Sequence, residues 1–458
     1  MSEKRAWVVL PDLLSIRVFV DTGILRGLHE RLDGKLAAVF LVPRQGAAEW
    51  AARLADVPVL YCDELTAPRG LPDRALGRVD AWLDRGLGYH PLAIRLNYRH
   101  GFHGERMQPG HPNWMLDSDR DGPLPRWPRV ERAMERWFFS ARRHVPARLL
   151  ETMRRDCSGL LLSNVQPASA IPFLAAARRL HRPVVAHVAS WDHTVGKGVI
   201  SPHCELYVVQ NRVMEDDLRR YHRIEPDRVR VTGWPQTDLF ERQRPRSEYE
   251  ALLRGYGLDP RRPVVLFAGN TPSNAPYEGR FVERLLEWWE ERGGAERFQL
   301  LFRPHPRDAQ WRERFAAATG REGVVVQEAS YTDLERLATL LQHADAVVCN
   351  AGTILLDALV GDRPAVCVLF DEGAPPGESW AAKNVVGKHY EDLAGSGAFY
   401  RAERFEDVVS GLGRALERPD ELAVERRRAV EQVVGVVDGR AAERVVDATA
   451  GVLARGPS

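Results

Sequence analysis

The sequence lacks most of the short signatures that announce a cofactor or a nucleophile. It holds no GxGxxG, no GxxxxGK[ST], no HExxH and no GxSxG. Dinucleotide oxidoreduction, P-loop chemistry and serine hydrolysis therefore fall away as first readings. Cysteine is scarce: Cys62, Cys157, Cys204, Cys349 and Cys367 are the five in 458 residues, and no two have CxxC spacing. A disulfide framework is excluded, and buried free thiols in a reducing compartment are expected. Charge bias is missing as well. A net charge of +1 gives no global field that would favour a nucleic-acid partner. No apolar run approaches the ~20 residues of a membrane span. The start, MSEKRAWVVLPD, has no signal-peptide apolar region. A cytoplasmic protein is expected, one that is able to touch a membrane only peripherally.

What is present is ordinary globular composition, 44% apolar and 28% charged, in a chain long enough for two domains. AWVVL (6–10), LAAVFLV (36–42) and VPVLYC (57–62) read as strands separated by helical spacing. Residues 98–128 interrupt the rhythm with a loop rich in Gly, Pro, His and Trp, and a helix over roughly 129–155 follows. The strand pattern returns at 159–164, 183–190, 205–210 and 229–233. A second series runs through 263–270, 298–304, 323–328, 346–350 and 364–370. The expected fold is α/β, with two doubly wound halves. The N-terminal domain is 1–235, a linker is 236–260, the C-terminal domain is 261–425, and a closing helical segment is 426–458. The basic stretch 126–155 reads as a solvated helix face or as a patch for an anionic acceptor or membrane surface. DSD at 117–119 and His100, His103 and His111 offer metal-ligating residue types without an evident complete set.

In such sheets ligands sit beyond the carboxyl ends of the strands, and three strand ends carry chemistry. The first is VASWDHTVGKG, 188–198. Asp192 beside His193 can supply a general base, and Lys197 among glycines suits a phosphate or acceptor contact. The second is LLFRPHPRD, 300–308. Two prolines restrict the backbone around His305, a donor suited to phosphate oxygens, with Arg303 before it. The third is CNAGTILLDALVGDRP, 349–364. Asn350, Gly352 and Thr353 open a helix whose first amides form an anion site, and Asp357 lies one turn on.

At these residues the chain resembles the GT-B glycosyltransferases, and most of all the branch of CDP-glycerol glycerophosphotransferases and capsule-polysaccharide transferases. WDHTVGKG stands where that branch has a tryptophan-base-glycine-threonine segment ending in lysine and glycine. Arg303, His305 and Pro306 match its arginine-x-histidine-proline motif. Gly352, Thr353 and Asp357 fall on its paired serines and following aspartate, and DGRAAERVV (438–446) resembles its C-terminal helix. The likeness runs over roughly 183–446. It implies two Rossmann-like domains facing a cleft, with the donor held by the C-terminal one. Asp192 occupies the place of the family's catalytic histidine, with His193 one residue later, and Gly-Thr replaces the serine pair. SWD….KG with VTGWPQTD (231–238) also looks like a set of bacterial surface-carbohydrate transferases.

The expected activity is metal-independent transfer of a sugar from a nucleotide-activated donor to a hydroxyl acceptor. The activated sugar is a co-substrate, and no cofactor is required. His305, Arg303, Asn350, Gly352, Thr353, Asn270 and Thr271 would hold the diphosphate and Asp357 the ribose. Asp192 or His193 would take the acceptor proton, with Arg17 and Lys197 as acceptor or phosphate contacts. The Trp-rich loop 98–128 is the expected acceptor surface. A nucleotide-sugar 2-epimerase, a CDP-glycerol-type polyol-phosphate transferase and an inactive nucleotide-sugar-binding protein are the alternatives.

Overall fold

Short runs of Val, Leu, Ala and Phe, buried on both faces, pair in register as parallel strands, as continuous apolar runs do when helices cover both sides of a sheet. The computed structural model describes residues 3–54, 56–87, 136, 139–141, 143–166, 168–196, 200–375, 381 and 388–455. The chain divides into two units. Among the described residues, the first ends at Asp238 and takes back Arg440–Arg455, and the second is Leu239–Gly439. The division thus falls inside the expected linker, and the expected closing segment is itself split between the units.

In the first unit, β1 (Arg5–Leu10), β2 (Leu36–Phe40), β3 (Val59–Tyr61), β4 (Cys157–Leu162), β5 (Val184–His187), β6 (Leu206–Val209) and β7 (Val229–Val231) form one sheet. Its order is β3-β2-β1-β4-β5-β6-β7, and every pairing is parallel. The order reverses between β1 and β4, where Val8 lies against Leu161. The helical spacing between the first two strands forms two helices, Leu13–Asp21 and Ile24–Arg31. Asp12 starts the first by accepting from the Ser15 amide at 2.8 Å. Gly23 separates them in the left-handed region, at φ 78°, where a side chain would be strained.

The second unit repeats the plan with β8 (Val264–Ala268), β9 (Gln299–Arg303), β10 (Val324–Val326), β11 (Ala346–Asn350), β12 (Ala365–Val368) and β13 (Tyr400–Ala402). The order is β10-β9-β8-β11-β12-β13, again parallel, and the reversal lies between β8 and β11. The edge strand β13 has no counterpart among the expected strands. Three residues alternating buried, exposed and buried are too short for a periodic signal. Phe267 of β8 and Phe302 of β9 meet at 5.3 Å between ring centroids, and Phe315 packs on both. This cluster forms the floor beneath the β8 and β9 loops.

The last helix, Ala441–Leu453, lies on the first unit. A Cβ on Gly27 would come within 3.0 Å of Val446, and one on Gly159 within 3.3 Å of Leu453. Asp238 caps this helix from 203 positions upstream. Its two carboxylate oxygens accept from the Ala441 and Ala442 amides at 3.0 and 2.7 Å. A negative charge on free helix-starting amides is favourable on both hydrogen-bond and dipole grounds. Asp238→Ala is expected to destabilise the first unit by about 1–2 kcal/mol. Denaturant titration checks this, and an unchanged midpoint would show that the cap contributes nothing.

Candidate functional site

In the second unit, the polar residues after β8, β9 and β11 gather at one edge of the sheet, around its reversal. The loop after β8 departs from expectation. The Asn270 amide donates to Glu278 Oε1 at 2.8 Å, and the Thr271 amide donates to its neighbour's side chain, Asn270 Oδ1, at 2.8 Å. Both amides expected to cradle phosphate are therefore used within the loop. What the loop presents instead is hydroxyl: Thr271 Oγ1 and Ser273 Oγ lie 3.0 Å apart at the surface.

After β9, Arg303 and His305 separate in role. Arg303 is buried, donating to Asp333 Oδ1 at 2.6 Å and to Gln327 Oε1 at 3.1 Å, with a further bond to the other oxygen of Asp333. A bidentate buried pair of this kind fixes the base of the β9 and β10 loops. Arg303 is thus an internal strut, contrary to the expectation that it contacts a donor. His305 is half-buried, and its Nδ1 accepts from the Arg307 amide at 3.0 Å. A neutral ring held this way carries its proton on Nε2, which makes that nitrogen a donor. The carbonyl of His305 accepts from the Asp308 amide at 2.8 Å, closing the turn that the flanking prolines shape.

After β11, helix Thr353–Val360 begins with Gly352 as its cap residue, which has no side chain to cap it. The first amides of a helix have no intrahelical acceptor, so this start is a ready anion site. Gly352 is extended, and among the described residues a Cβ there would meet nothing closer than Asn350 O at 3.9 Å. Its carbonyl accepts from the Tyr390 hydroxyl at 3.0 Å, and Asn350 Nδ2 donates to Val368 O at 3.3 Å. Asp357 is 3% exposed and lies near enough to Cys349 to help raise that thiol, after burial itself. So little exposed surface does not suit the expected ribose contact. A shallow recess, lined among others by Tyr277, Asn350, Phe370 and Asp371, lies at the ends of β8, β11 and β12.

Beneath the β8 and β9 loops lies a buried ion cluster that the sequence did not announce. Arg314 pairs with Glu278 at 2.8 Å and with Asp308. Burial pushes the Glu278 carboxyl up, and the adjoining guanidinium pulls it back.

In the first unit, the ends of β4, β5, β6 and β7 carry buried amides, hydroxyls and histidines: Ser163, Asn164, His187, Gln210, Asn211 and Gln236. Asp192 and His193 sit just past β5, with Asp192 Oδ1 and His193 Nε2 3.9 Å apart. Their side chains are 24% and 15% exposed, so both reach the surface while held by the fold. Gln166 Nε2 donates to the His193 carbonyl at 2.8 Å, tying the β4 loop to this turn. His187 donates from Nδ1 to Ser163 O at 2.8 Å and meets Phe19 edge-on. His222 bridges the two ends of the glycine-containing turn. Its Nδ1 accepts from the Ile200 amide at 2.9 Å, and its Nε2 donates to the Thr194 carbonyl at 2.7 Å. Arg17 lies on helix Leu13–Asp21 and is buried. Lys197, the loop 98–128, DSD 117–119 and His100, His103 and His111 lie outside the described residues. Among the described residues no His, Cys, Asp or Glu group is placed to hold a metal ion, and no helix is long and apolar enough to cross a membrane.

The family model of the CDP-glycerol:poly(glycerophosphate) glycerophosphotransferases matches residues 197–450. Among solved structures, the UDP-GlcNAc 2-epimerase of Neisseria meningitidis bound to UDP-GlcNAc is similar at 10% identity and TM-score 0.56, over 97% of this chain and 99% of that one. S. aureus MnaA with UDP is similar at 12% identity and TM-score 0.54, over 97% and 95%. The UDP-GlcNAc 2-epimerase of Methanocaldococcus jannaschii is similar at 13% and 0.52, over 97% and 99%. At these identities the likeness is one of fold, two Rossmann-like domains of the GT-B class, as the sequence implied. No curated protein matches the sequence.

The two buried histidines of the first unit generate a pH dependence. Burial lowers His187 and His222 from an ordinary 6.5 to about 4. Between those values the unfolded chain takes up protons that the folded chain refuses. Stability is therefore full above pH 6.5 and falls as the pH drops toward 4, by about 3 kcal/mol for each histidine. Denaturant midpoints across that range should show the loss, and His222→Gln should flatten it. A wild-type midpoint independent of pH would contradict the assignment.

Proposed function

Because the chain belongs to the CDP-glycerol:poly(glycerophosphate) glycerophosphotransferase family, we propose that it is a transferase that takes its group from a nucleoside-diphosphate-activated donor, a sugar in our reading, and passes it to a hydroxyl acceptor. The observation that carries this reading is the start of helix Thr353–Val360 at the reversal of the second sheet, where Gly352 brings no side chain to cap the first amides. The first amides of that helix and the Nε2 proton of His305 would bind the donor diphosphate. Asn350 and the Thr271 and Ser273 hydroxyls would complete the polar rim.

In a glycosyl transfer the acceptor oxygen bonds to the anomeric carbon, the carbon–oxygen bond to the β-phosphate breaks, and a nucleoside diphosphate leaves. Charge grows on that leaving group, where fixed amides and the imidazole donor meet it without reorganising. Asp192 or His193 would accept the proton of the acceptor hydroxyl. Arg17 and Lys197 remain candidates for contacts with acceptor or phosphate. The work is proposed to need no metal and no cofactor beyond the activated donor.

Family membership favours a second reading, transfer of a polyol phosphate. There the acceptor oxygen attacks the β-phosphorus, the bridging phosphorus–oxygen bond breaks, and a nucleoside monophosphate leaves. The departure that favours sugar is local. Asp192 stands where the resembled branch has its catalytic histidine, and Gly352 and Thr353 stand where it has paired serines.

The leaving group separates the two. With nucleotide-linked sugars and CDP-glycerol offered alongside a panel of glycan and polyol acceptors, release of nucleoside diphosphate is expected, and release of monophosphate would establish the second reading. His305→Ala should cut turnover by at least about 100-fold, the scale of losing one donor to a developing negative charge, with the melting temperature nearly unchanged. Near-normal turnover in that variant would remove His305 from the donor site. Asp192→Asn and His193→Ala, assayed separately, should differ by a factor that identifies the base; full activity in both would place the base elsewhere.

A further inference from the structure

We propose that Arg314 is a positioning residue that makes the β8 loop and the His305 turn one rigid ledge for the donor diphosphate. The inference rests on the reading of the second unit as the donor-binding one.

The geometry is that of a single guanidinium forked between two loops. Nη1 donates to the Asn270 carbonyl at 2.8 Å and to the Asp308 carboxylate, while Nη2 donates to the Ala275 carbonyl at 2.7 Å and to Glu278 Oε2 at 2.8 Å. On the β8 side, the other oxygen of Glu278 accepts the Asn270 amide. Both backbone polar groups of Asn270 are thus held by the same ion pair. On the β9 side, Asp308 is 1% exposed, and its amide closes the His305 turn onto the His305 carbonyl. A movement of either loop must break bonds to a charge that the other loop also uses.

The surroundings permit no slack. The chain leaves β8 through Gly269, where an added Cβ would lie 2.9 Å from Phe315 and 3.1 Å from Glu278 Oε2. Phe315, next in sequence to Arg314, is locked in the aromatic core. The guanidinium is therefore fixed from below, and the two loops are fixed to it from above. Lysine has the charge without the planar fork, so it cannot serve four acceptors on two loops at once. Arg314 itself touches no ligand in this scheme. It sets the spacing between His305 and the Thr271–Ser273 hydroxyls.

The test compares the wild type with Arg314→Lys, Glu278→Gln and a stability control, Val282→Ala, which trims a fully buried apolar side chain one turn past Glu278 and removes none of the cluster's hydrogen bonds. Hydrogen–deuterium exchange without ligand reads the loops directly. In Arg314→Lys, peptides over 269–276 and 304–310 should both exchange faster, by about tenfold. Titration with UDP and CDP should show affinity falling ten- to a hundredfold in that variant and less in Glu278→Gln, which keeps an acceptor for the Asn270 amide. Val282→Ala, with a comparable loss of melting temperature, should keep both its loop exchange and its affinity. If only one loop loosens in Arg314→Lys, or if Val282→Ala weakens binding as much, the clamp is wrong. A wild type that binds neither nucleotide defeats the donor reading instead, while the paired loop exchange still decides whether Arg314 couples the two segments.

Discussion

The second unit is organised around a charge it keeps out of water. Burying the Arg314 guanidinium with the Glu278 and Asp308 carboxylates sacrifices the hydration of all three, and such a group need not add net stability. Its value is geometric. An apolar side chain of equal volume would fill the same space without fixing where the Asn270 backbone or the Asp308 turn sits. Arg303 does the same one strand over, holding Gln327 and Asp333 at the bases of the neighbouring loops. Arginines set just behind the sheet edge convert a row of strand ends into a surface of defined shape.

The first unit reaches the same end with neutral groups. His187 and His222 are buried without charge; His187 spends Nδ1 on the Ser163 carbonyl, and His222 spends both ring nitrogens on the Thr194 carbonyl and the Ile200 amide. Gln166 ties the β4 loop to the Asp192–His193 turn. Uncharged clamps suit a turn that carries a carboxylate and an imidazole of its own, since a fixed buried cation nearby would bias their protonation.

The fold was largely legible because parallel strands buried on both faces write themselves as apolar runs. Val264–Ala268, Ala346–Asn350 and Ala365–Val368 were plain for that reason, and the polar residues just past them marked the edge of the candidate site. The tryptophan-to-glycine turn, the His-Pro turn and the Asn-Ala-Gly-Thr helix start all proved to stand at strand ends. What failed to show was tertiary. Nothing in the order of residues says that Arg303 turns inward to Asp333 while His305, two positions on, turns outward. Whether an amide such as that of Asn270 is available depends on Glu278, a helix start away. Arg314 sits in a four-residue helix with arginines and a glutamate around it, and only the folded contacts single it out. The three-residue edge strand Tyr400–Ala402 carried too few residues for a period.

The double cap by Asp238 also dictates an order of events during synthesis. The chain emerges amino end first, yet the first unit owns Ala441–Leu453, which leaves the ribosome after every strand of both sheets. Leu239–Gly439 is one uninterrupted stretch that is complete before that helix appears. The first sheet must therefore wait, with the surface around Gly27 and Gly159 uncovered, until the final helix arrives. The unit whose strands are made first is the one whose sequence is completed last.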